Sequence, residues 1–151
     1  MGLRNDKKRD PEATKLRIMA AAKAEFSKMG LDGARVDVIA ARAKVQKRMM
    51  YHYFGNKELL YRLVLEQVYA NFSKAKAQLE IEKDESVIAL RRLVGFTWTY
   101  NLENPEFISL VNNENLQKAK FLKKVTQLEL LNNSFVNRMK RMFTRGLAYG
   151  V

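Results

Sequence analysis

A short stretch of the sequence, from position 46 to position 57, carries most of the side chains that could do chemistry. They are basic, aromatic, amide or thioether side chains suited to contacts with another molecule: Gln46, Lys47, Arg48, Met49, Tyr51, His52, Tyr53 and Lys57. Arginine and lysine can pair with O6 and N7 of guanine, whereas hydroxyl and amine groups can hold phosphate oxygens. The stretch therefore indicates nucleic-acid recognition, with Lys47 and Arg48 placed to contact bases.

Other kinds of chemistry find little support in the sequence. His52 is the only histidine and cysteine is absent, so neither a histidine-rich metal site nor a cysteine–histidine pair can form. No glycine-rich phosphate loop occurs, and we interpret the acidic residues as scattered on helix exteriors. We therefore predict no enzymatic activity, no cofactor and no metal site.

The charge of the chain fits a polyanionic partner but does not prove one. The formal net charge is +12, from 28 basic and 16 acidic residues. Such a charge attracts nucleic acid, and it also keeps a helical protein in solution. No segment approaches the ~20 apolar residues that span a bilayer, and the basic residues are not gathered on one amphipathic helix, so a membrane partner is the least favoured interpretation. We expect a cytoplasmic location, which the absence of cysteine suits.

Apolar residues recur at helical spacing almost throughout, which predicts an all-α chain. The first helix should begin after the capping residue Asp10 and stop at Gly30. Its predicted inward side consists of Leu16, Met19, Ala22, Phe26 and Met29.

Two short helices joined by a tight turn are predicted to follow. The first has its apolar residues at helical spacing: Val36, Ile39, Ala40 and Ala43. The second runs from Gln46 to Phe54, with Met50 inward and the polar side chains outward. In a helix-turn-helix, the second helix lies in the major groove of DNA while the first braces it.

The remaining sequence predicts further helices. Asn56 should cap a helix whose apolar residues recur every fourth position: Leu60, Val64, Val68 and Phe72. After a linker, Ser86 should cap another helix that ends before Pro105, and a long helix is predicted from Phe121 to Phe143. We predict a flexible basic arm over 1–9, a DNA-binding domain over 10–56, and a connecting helix with a regulatory domain over 57–151.

Two runs of residues resemble the DNA-binding signature of the TetR (tetracycline-repressor-like) family. They are Asp37-Val-Ile-Ala-Ala-Arg-Ala-Lys-Val45 and Met50-Tyr-His-Tyr-Phe-Gly-Asn-Lys-Glu-Leu59, and the resemblance extends roughly from Thr14 to Val68. It implies a three-helix DNA-binding domain, joined by a connecting helix to an α-helical ligand-binding and dimerisation domain. It also implies base contacts by Lys47, Arg48 and Met49, backbone contacts by Tyr51 and Tyr53, and a phosphate contact by Lys57, with Gln46, His52 and Arg35 as additions.

The sequence departs from the family pattern at three points. Lys44 stands where the family usually has glycine, and a non-glycine residue in left-handed geometry costs roughly 1 kcal/mol. Gln46 replaces the usual serine, and Ala34 with Arg35 replaces hydroxyl residues, a loss that Arg35 could offset through its charge. Family members also continue through further helices that pack against the partner subunit, so we expect the regulatory domain to be truncated.

The resemblance implies a ligand-responsive repressor that binds a palindromic operator in double-stranded DNA as a homodimer. The binding chamber for an unknown small-molecule effector would be lined by residues of the second domain: Trp98, Tyr100, Asn101, Phe107 and Asn113. Taken singly, each of these residues is better interpreted as ordinary core packing. A truncated interaction module, or a non-specific nucleic-acid binder without regulatory activity of its own, stays open as the alternative.

Overall fold

The computed structural model describes residues 10–80 and 84–124, together with the single helical positions Asn137, Lys140, Arg141, Thr144 and Ala148. Regular structure in this part of the chain is entirely helical, which confirms the all-α prediction. The helices are α1 (Pro11–Gly33), α2 (Val36–Ala43), α3 (Lys47–Phe54), α4 (Lys57–Ala77), α5 (Ser86–Glu103) and α6 (Pro105–Leu116). The chain divides into two compact units, 1–61 and 62–151. Among the helices so described, none combines the length and the apolar character needed to cross a membrane.

Helix α1 begins as the sequence predicts. Oδ1 of Asp10 accepts hydrogen bonds from the backbone N–H groups of Glu12 and Ala13, at 3.0 and 3.3 Å. At the other end, Gly30 has φ 67° and ψ −178°, a conformation that is essentially restricted to glycine. This residue interrupts the helix, which then continues to Gly33, so the predicted stop is an internal break.

The buried side of α1 differs from the predicted one. Leu16 and Met29 were expected to face inward, but their side chains are 64% and 49% exposed. The buried residues are Ile18, Ala21, Ala22, Glu25, Phe26 and Leu31. Two residues three positions apart are separated by about 60° around a helix of 3.6 residues per turn. A line of apolar residues that begins at Leu16 and continues in such steps therefore turns away from the buried side of the helix.

The core of the first unit is formed by apolar residues of α1 to α4. Its members are Ile18, Ala22, Phe26, Ile39, Ala43, Met50, Leu60 and Tyr61, all less than 9% exposed. The rings of Phe26 and Tyr61 meet edge to face, with centroids 5.0 Å apart, an arrangement that aromatic pairs prefer. Because α2 and α3 have only eight residues each, this packing is what holds them in place.

Helix α4 is capped as predicted, because Oδ1 of Asn56 accepts a hydrogen bond from the N–H of Leu59 at 2.8 Å. Of its predicted inward residues, Leu60, Val64 and Val68 are buried and Phe72 is half-buried. The apolar spacing therefore identified the correct side of this helix.

The second unit contains most of α4, from position 62 onward, together with α5 and α6. Ser86 is the first residue of α5 and Glu85 occupies the capping position, so the prediction of Ser86 as the cap is wrong by one residue. Phe121 lies in a turn and Leu122–Lys124 form a 3-10 helix, so the predicted long helix does not start at Phe121. The rest of that prediction lies largely outside the described residues.

Candidate nucleic-acid interface

The turn between α2 and α3 is built around Lys44. This residue has φ 56° and ψ 47°, the left-handed conformation in which a side chain is strained. Its N–H donates to the carbonyl of Ala41 at 3.1 Å, and the N–H of Val45 donates to the carbonyl of Ala40 at 3.0 Å. These bonds close the end of α2 and allow the chain to start α3 after Gln46.

Helix α3 is held by one buried residue and presents its opposite side to solvent. Met50 is 3% exposed and anchors the helix. Because each residue turns a helix by about 100°, Arg48 and His52 lie roughly opposite Met50, and both are exposed. Gln46, Lys47 and Tyr51 are also exposed, whereas Met49 and Tyr53 are half-buried.

An exposed ionic cluster links α2 to α3. Nζ of Lys47 lies 3.0 Å from Oδ1 of Asp37, and Nη2 of Arg35 lies 4.0 Å from Oδ2 of the same carboxylate. The hydrogen bond from Lys47 lowers the pKa of the Asp37 carboxyl, and the charges of Lys47 and Arg35 act in the same direction. Conversely, the bond to Asp37 raises the pKa of Lys47. Asp37 is a charged residue of this surface that was not predicted as a site residue.

Lys57 stands at the first position of α4. Its Nζ donates to the carbonyl of Ala34 at 3.2 Å, which ties the start of α4 to the chain before α2. The backbone N–H of Arg35 in turn donates to Oε1 of the buried Glu25 at 3.3 Å. An ammonium group has three donors, so the bond to Ala34 leaves Lys57 able to hold a phosphate as well.

A cleft of about 580 Å³ lies between the start of α1 and helix α3. It is lined by Thr14, Arg17, Lys44, Val45, Gln46, Arg48, Met49, His52 and Tyr53. Thr14, Arg17 and Lys44 were not predicted as site residues. No sequence signal marks Thr14 and Arg17, because only the packing of α1 brings them to α3.

The second unit contains a cluster of aromatic side chains. The ring centroid of Phe72 lies 4.8 Å from the centroid of Phe107, 5.0 Å from that of Tyr100 and 5.8 Å from that of Phe96. Tyr69 joins the cluster through Phe107 at 5.5 Å. Burial, with a smaller effect of the Glu114 carboxylate, raises the pKa of Tyr69 to about 12.

The predicted effector-lining residues occupy different environments. Tyr100 and Phe107 meet in the aromatic cluster with ring centroids 5.4 Å apart. Asn101 and Asn113 are half-buried. Trp98 is 70% exposed and lies roughly opposite Tyr100 on α5, so the structure does not bring it to the cluster.

Glu114, on α6, is fully buried. One of its carboxylate oxygens accepts hydrogen bonds from the backbone N–H groups of Phe121 and Leu122, each at 3.2 Å. This carboxylate therefore stabilises the turn that follows α6.

The described helices define the class of the protein as an all-α helix-turn-helix protein with a second helical unit. Residues 18–64 match the family described as "Bacterial regulatory proteins, tetR family", and residues 87–151 match "Tetracyclin repressor-like, C-terminal domain". The chain belongs to the TetR family.

Named relatives support this assignment. The chain is 37% identical over 140 residues to the HTH-type transcriptional repressor NicS of Pseudomonas putida, covering 93% of this chain and 66% of NicS. It is 38% identical over 109 residues to the HTH-type transcriptional repressor SCO4008 of Streptomyces coelicolor, covering 72% of this chain and 53% of that protein. The chain thus spans between half and two thirds of the length of these two relatives.

Solved structures show the same fold. A mutant form of the regulator HlyIIR superposes with a TM-score of 0.71 and 29% identity, covering 94% of this chain and 75% of that chain. The putative transcriptional regulator SCO4942 from Streptomyces coelicolor superposes with a TM-score of 0.62 and 32% identity, covering 80% of this chain and 64% of that chain.

Proposed function

We propose that the chain is a DNA-binding transcriptional repressor that recognises a palindromic operator as a homodimer. The observation that carries this proposal is the geometry of α3. Its buried side is anchored by Met50, and the opposite side presents Arg48 and His52 to solvent. A helix held in this way can enter the major groove, which is about 12 Å wide, without disturbing the core beneath it.

Base recognition is assigned to the exposed start of α3. Arg48 can pair with O6 and N7 of a guanine, the commonest specific contact in protein–DNA complexes. Lys47, Gln46 and Met49 flank it and supply further donors and an apolar surface. His52, one turn after Arg48, contacts a base edge or a phosphate.

Phosphate contacts are assigned to one flank of α3. Tyr51 and Lys57 line the same small hollow, and Arg35 stands exposed just before α2. A hydroxyl, an ammonium and a guanidinium all bind phosphate oxygens, and such contacts fix the register of the helix in the groove. Tyr53, on the other flank, adds a further backbone contact.

The small size of this reading surface favours dimerisation. A helix of eight residues touches only a few base pairs, and helix-turn-helix proteins extend the site by placing two recognition helices roughly 34 to 36 Å apart. The relatives NicS and SCO4008 are named repressors, which favours repression as the outcome for this chain.

An effector would act through the second unit. Tyr100 and Phe107 are the predicted effector residues that meet in the aromatic cluster, so this cluster is the favoured place for an apolar or aromatic ligand. By linkage, a ligand that weakens DNA binding must bind the free protein more tightly than the DNA-bound protein by the same factor.

The experiment that tests the proposal is selection of the purified chain on random-sequence duplex DNA, followed by sequencing. The mass of the protein in solution, with and without DNA, is measured in parallel. An enriched palindrome bound by two copies of the chain supports the repressor. A monomer without sequence preference would contradict it and would favour the non-specific binder.

A further inference from the structure

The cleft between α1 and α3 lies on a different flank of the recognition helix from Lys57. Tyr51 and Lys57 share one hollow, whereas Met49 and Tyr53 line the cleft. Met49 and Tyr51 differ by about 200° around α3, so the two surfaces are on separate sides of the helix. A helix in the major groove has a phosphate backbone on each side, so with Lys57 on one strand the cleft would face the other strand.

The lining of the cleft has the chemistry of an anion site. Arg17, Lys44 and Arg48 contribute cations and Tyr53 contributes a hydroxyl group, whereas the Thr14 hydroxyl donates to the carbonyl of Asp10 at 3.0 Å. No carboxylate occurs among the lining residues. Arg17 donates one hydrogen bond to Oγ1 of Thr14 at 3.3 Å, which leaves most of its five donors for a ligand.

Lys44 provides a second, independent observation. It holds a left-handed backbone conformation that glycine would adopt without strain, yet its side chain contributes a cation to the cleft. Strained residues of this kind concentrate at functional sites, where the surrounding structure holds them in place. Lys44 therefore places a cation in the cleft at a position where glycine would relieve the strain.

We propose that this cleft binds the phosphodiester backbone of DNA, with Arg17 and Lys44 as the phosphate-holding residues. The recognition helix is then held from both sides, by Lys57 and Tyr51 on one strand and by Arg17 and Lys44 on the other. The inference rests on the proposed DNA-binding function and adds residues of α1 and of the turn to the interface.

The test compares Arg17→Ala and Lys44→Gly with the wild type and with Lys28→Ala, an exposed lysine about 16 Å further along α1. DNA affinity is measured as a function of salt on the selected operator and on a random duplex. Each cleft variant should lose about tenfold on both duplexes, and its salt slope should fall by about 0.9. Lys28→Ala should match the wild type.

Thermal unfolding separates binding from folding. Lys44→Gly removes the strained conformation, so its melting temperature should equal or exceed that of the wild type while its DNA affinity falls. Wild-type salt slopes in both cleft variants would overturn the proposal. The salt slopes can be measured on random DNA, so they do not depend on an operator. Failure of the operator hypothesis gives a different result, because the wild type itself would then show no sequence preference.

Neutral methylphosphonate links placed one at a time in the operator identify the phosphate concerned. Within each half-site, the wild type should lose affinity at positions on both strands, and Arg17→Ala should lose its sensitivity on one of these two strands. Free inorganic phosphate has the same chemistry as the DNA backbone and is the other candidate ligand of the cleft. Calorimetric binding of inorganic phosphate to the wild type but not to the Arg17→Ala Lys44→Gly double variant, together with equal DNA affinity and equal methylphosphonate sensitivity of the two proteins, would overturn the assignment to DNA.

Discussion

Nζ of Lys47 lies 3.0 Å from Oδ1 of Asp37, so the first residue of the recognition helix is ion-paired to the helix that braces it. Both side chains are more than half exposed, at 51% and 59%, and exposed pairs contribute little to stability. The pair therefore opens at small cost when a phosphate or a base approaches. Until then, Asp37 neutralises a cation that the interface would otherwise offer to any DNA.

Asp37→Asn should raise the affinity for random-sequence duplex by about threefold to tenfold, because a negative charge next to the phosphates is removed and Lys47 is released. The operator should gain less, so the ratio of specific to non-specific affinity falls. Fluorescence anisotropy on the two duplexes measures both values, with Asp32→Asn as the control for an exposed aspartate outside the ionic cluster. Weaker binding of Asp37→Asn to random DNA would contradict this role.

The same pair predicts the titration of Asp37. Its pKa is lowered mainly by the hydrogen bond from Lys47, so the pair contributes stability above the unfolded carboxyl pKa of about 3.9. That contribution is lost as the pH falls through the lower folded pKa. Carbon-13 NMR of the carboxyl group should show a pKa below the ordinary value, and Lys47→Ala should raise it. An unshifted pKa in the wild type would exclude a persistent pair in solution.

The buried side of α1 can be tested with two aliphatic residues two positions apart. Ile18 is fully buried and Leu16 is 64% exposed. Ile18→Ala should lower the free energy of unfolding by about 2 to 5 kcal/mol, since it leaves a cavity in the core. Leu16→Ala should change it by less than about 1 kcal/mol. Chemical denaturation gives both values. A larger loss for Leu16→Ala than for Ile18→Ala would support the inward side of α1 that the sequence predicted.

Glu114 should be needed for the turn after α6. Glu114→Ala removes the acceptor of two backbone N–H groups and should destabilise the protein by about 3 kcal/mol. Glu114→Gln keeps one acceptor oxygen and should lose less. Thermal denaturation compares the two variants. Equal losses would mean that the carboxylate charge is required rather than one acceptor oxygen, and a wild-type melting temperature in Glu114→Ala would contradict this role.

The parts of the fold that were predicted correctly depend on neighbours within one or two turns. The caps at Asp10 and Asn56 are local features, since their hydrogen bonds join residues at most three positions apart, and the apolar residues of the short helix α2 lie on one side of it. The error at Leu16 has another cause. Which of several apolar residues on a helix is buried depends on the neighbouring helices, and the sequence does not give their placement.

The same distinction applies to the candidate site. The exposure of Arg48, Tyr51 and His52 follows from the period of α3 once Met50 is inward. The approach of Arg17 to the recognition helix joins residues about thirty positions apart, and the ion pair of Lys47 with Asp37 depends on the angle between two helices. Neither contact has a sequence spacing that reveals it.

We propose that α3 reads bases through Arg48 while Lys57 holds a phosphate. The most direct test measures the affinities of Arg48→Ala and Lys57→Ala for the selected operator, for operators changed at single base pairs, and for random DNA. Arg48→Ala should lose about 1 to 3 kcal/mol on the operator and lose its preference at one base pair of each half-site, whereas Lys57→Ala should weaken all duplexes equally. Equal, sequence-independent losses for both variants would contradict the assignment of Arg48 to base recognition.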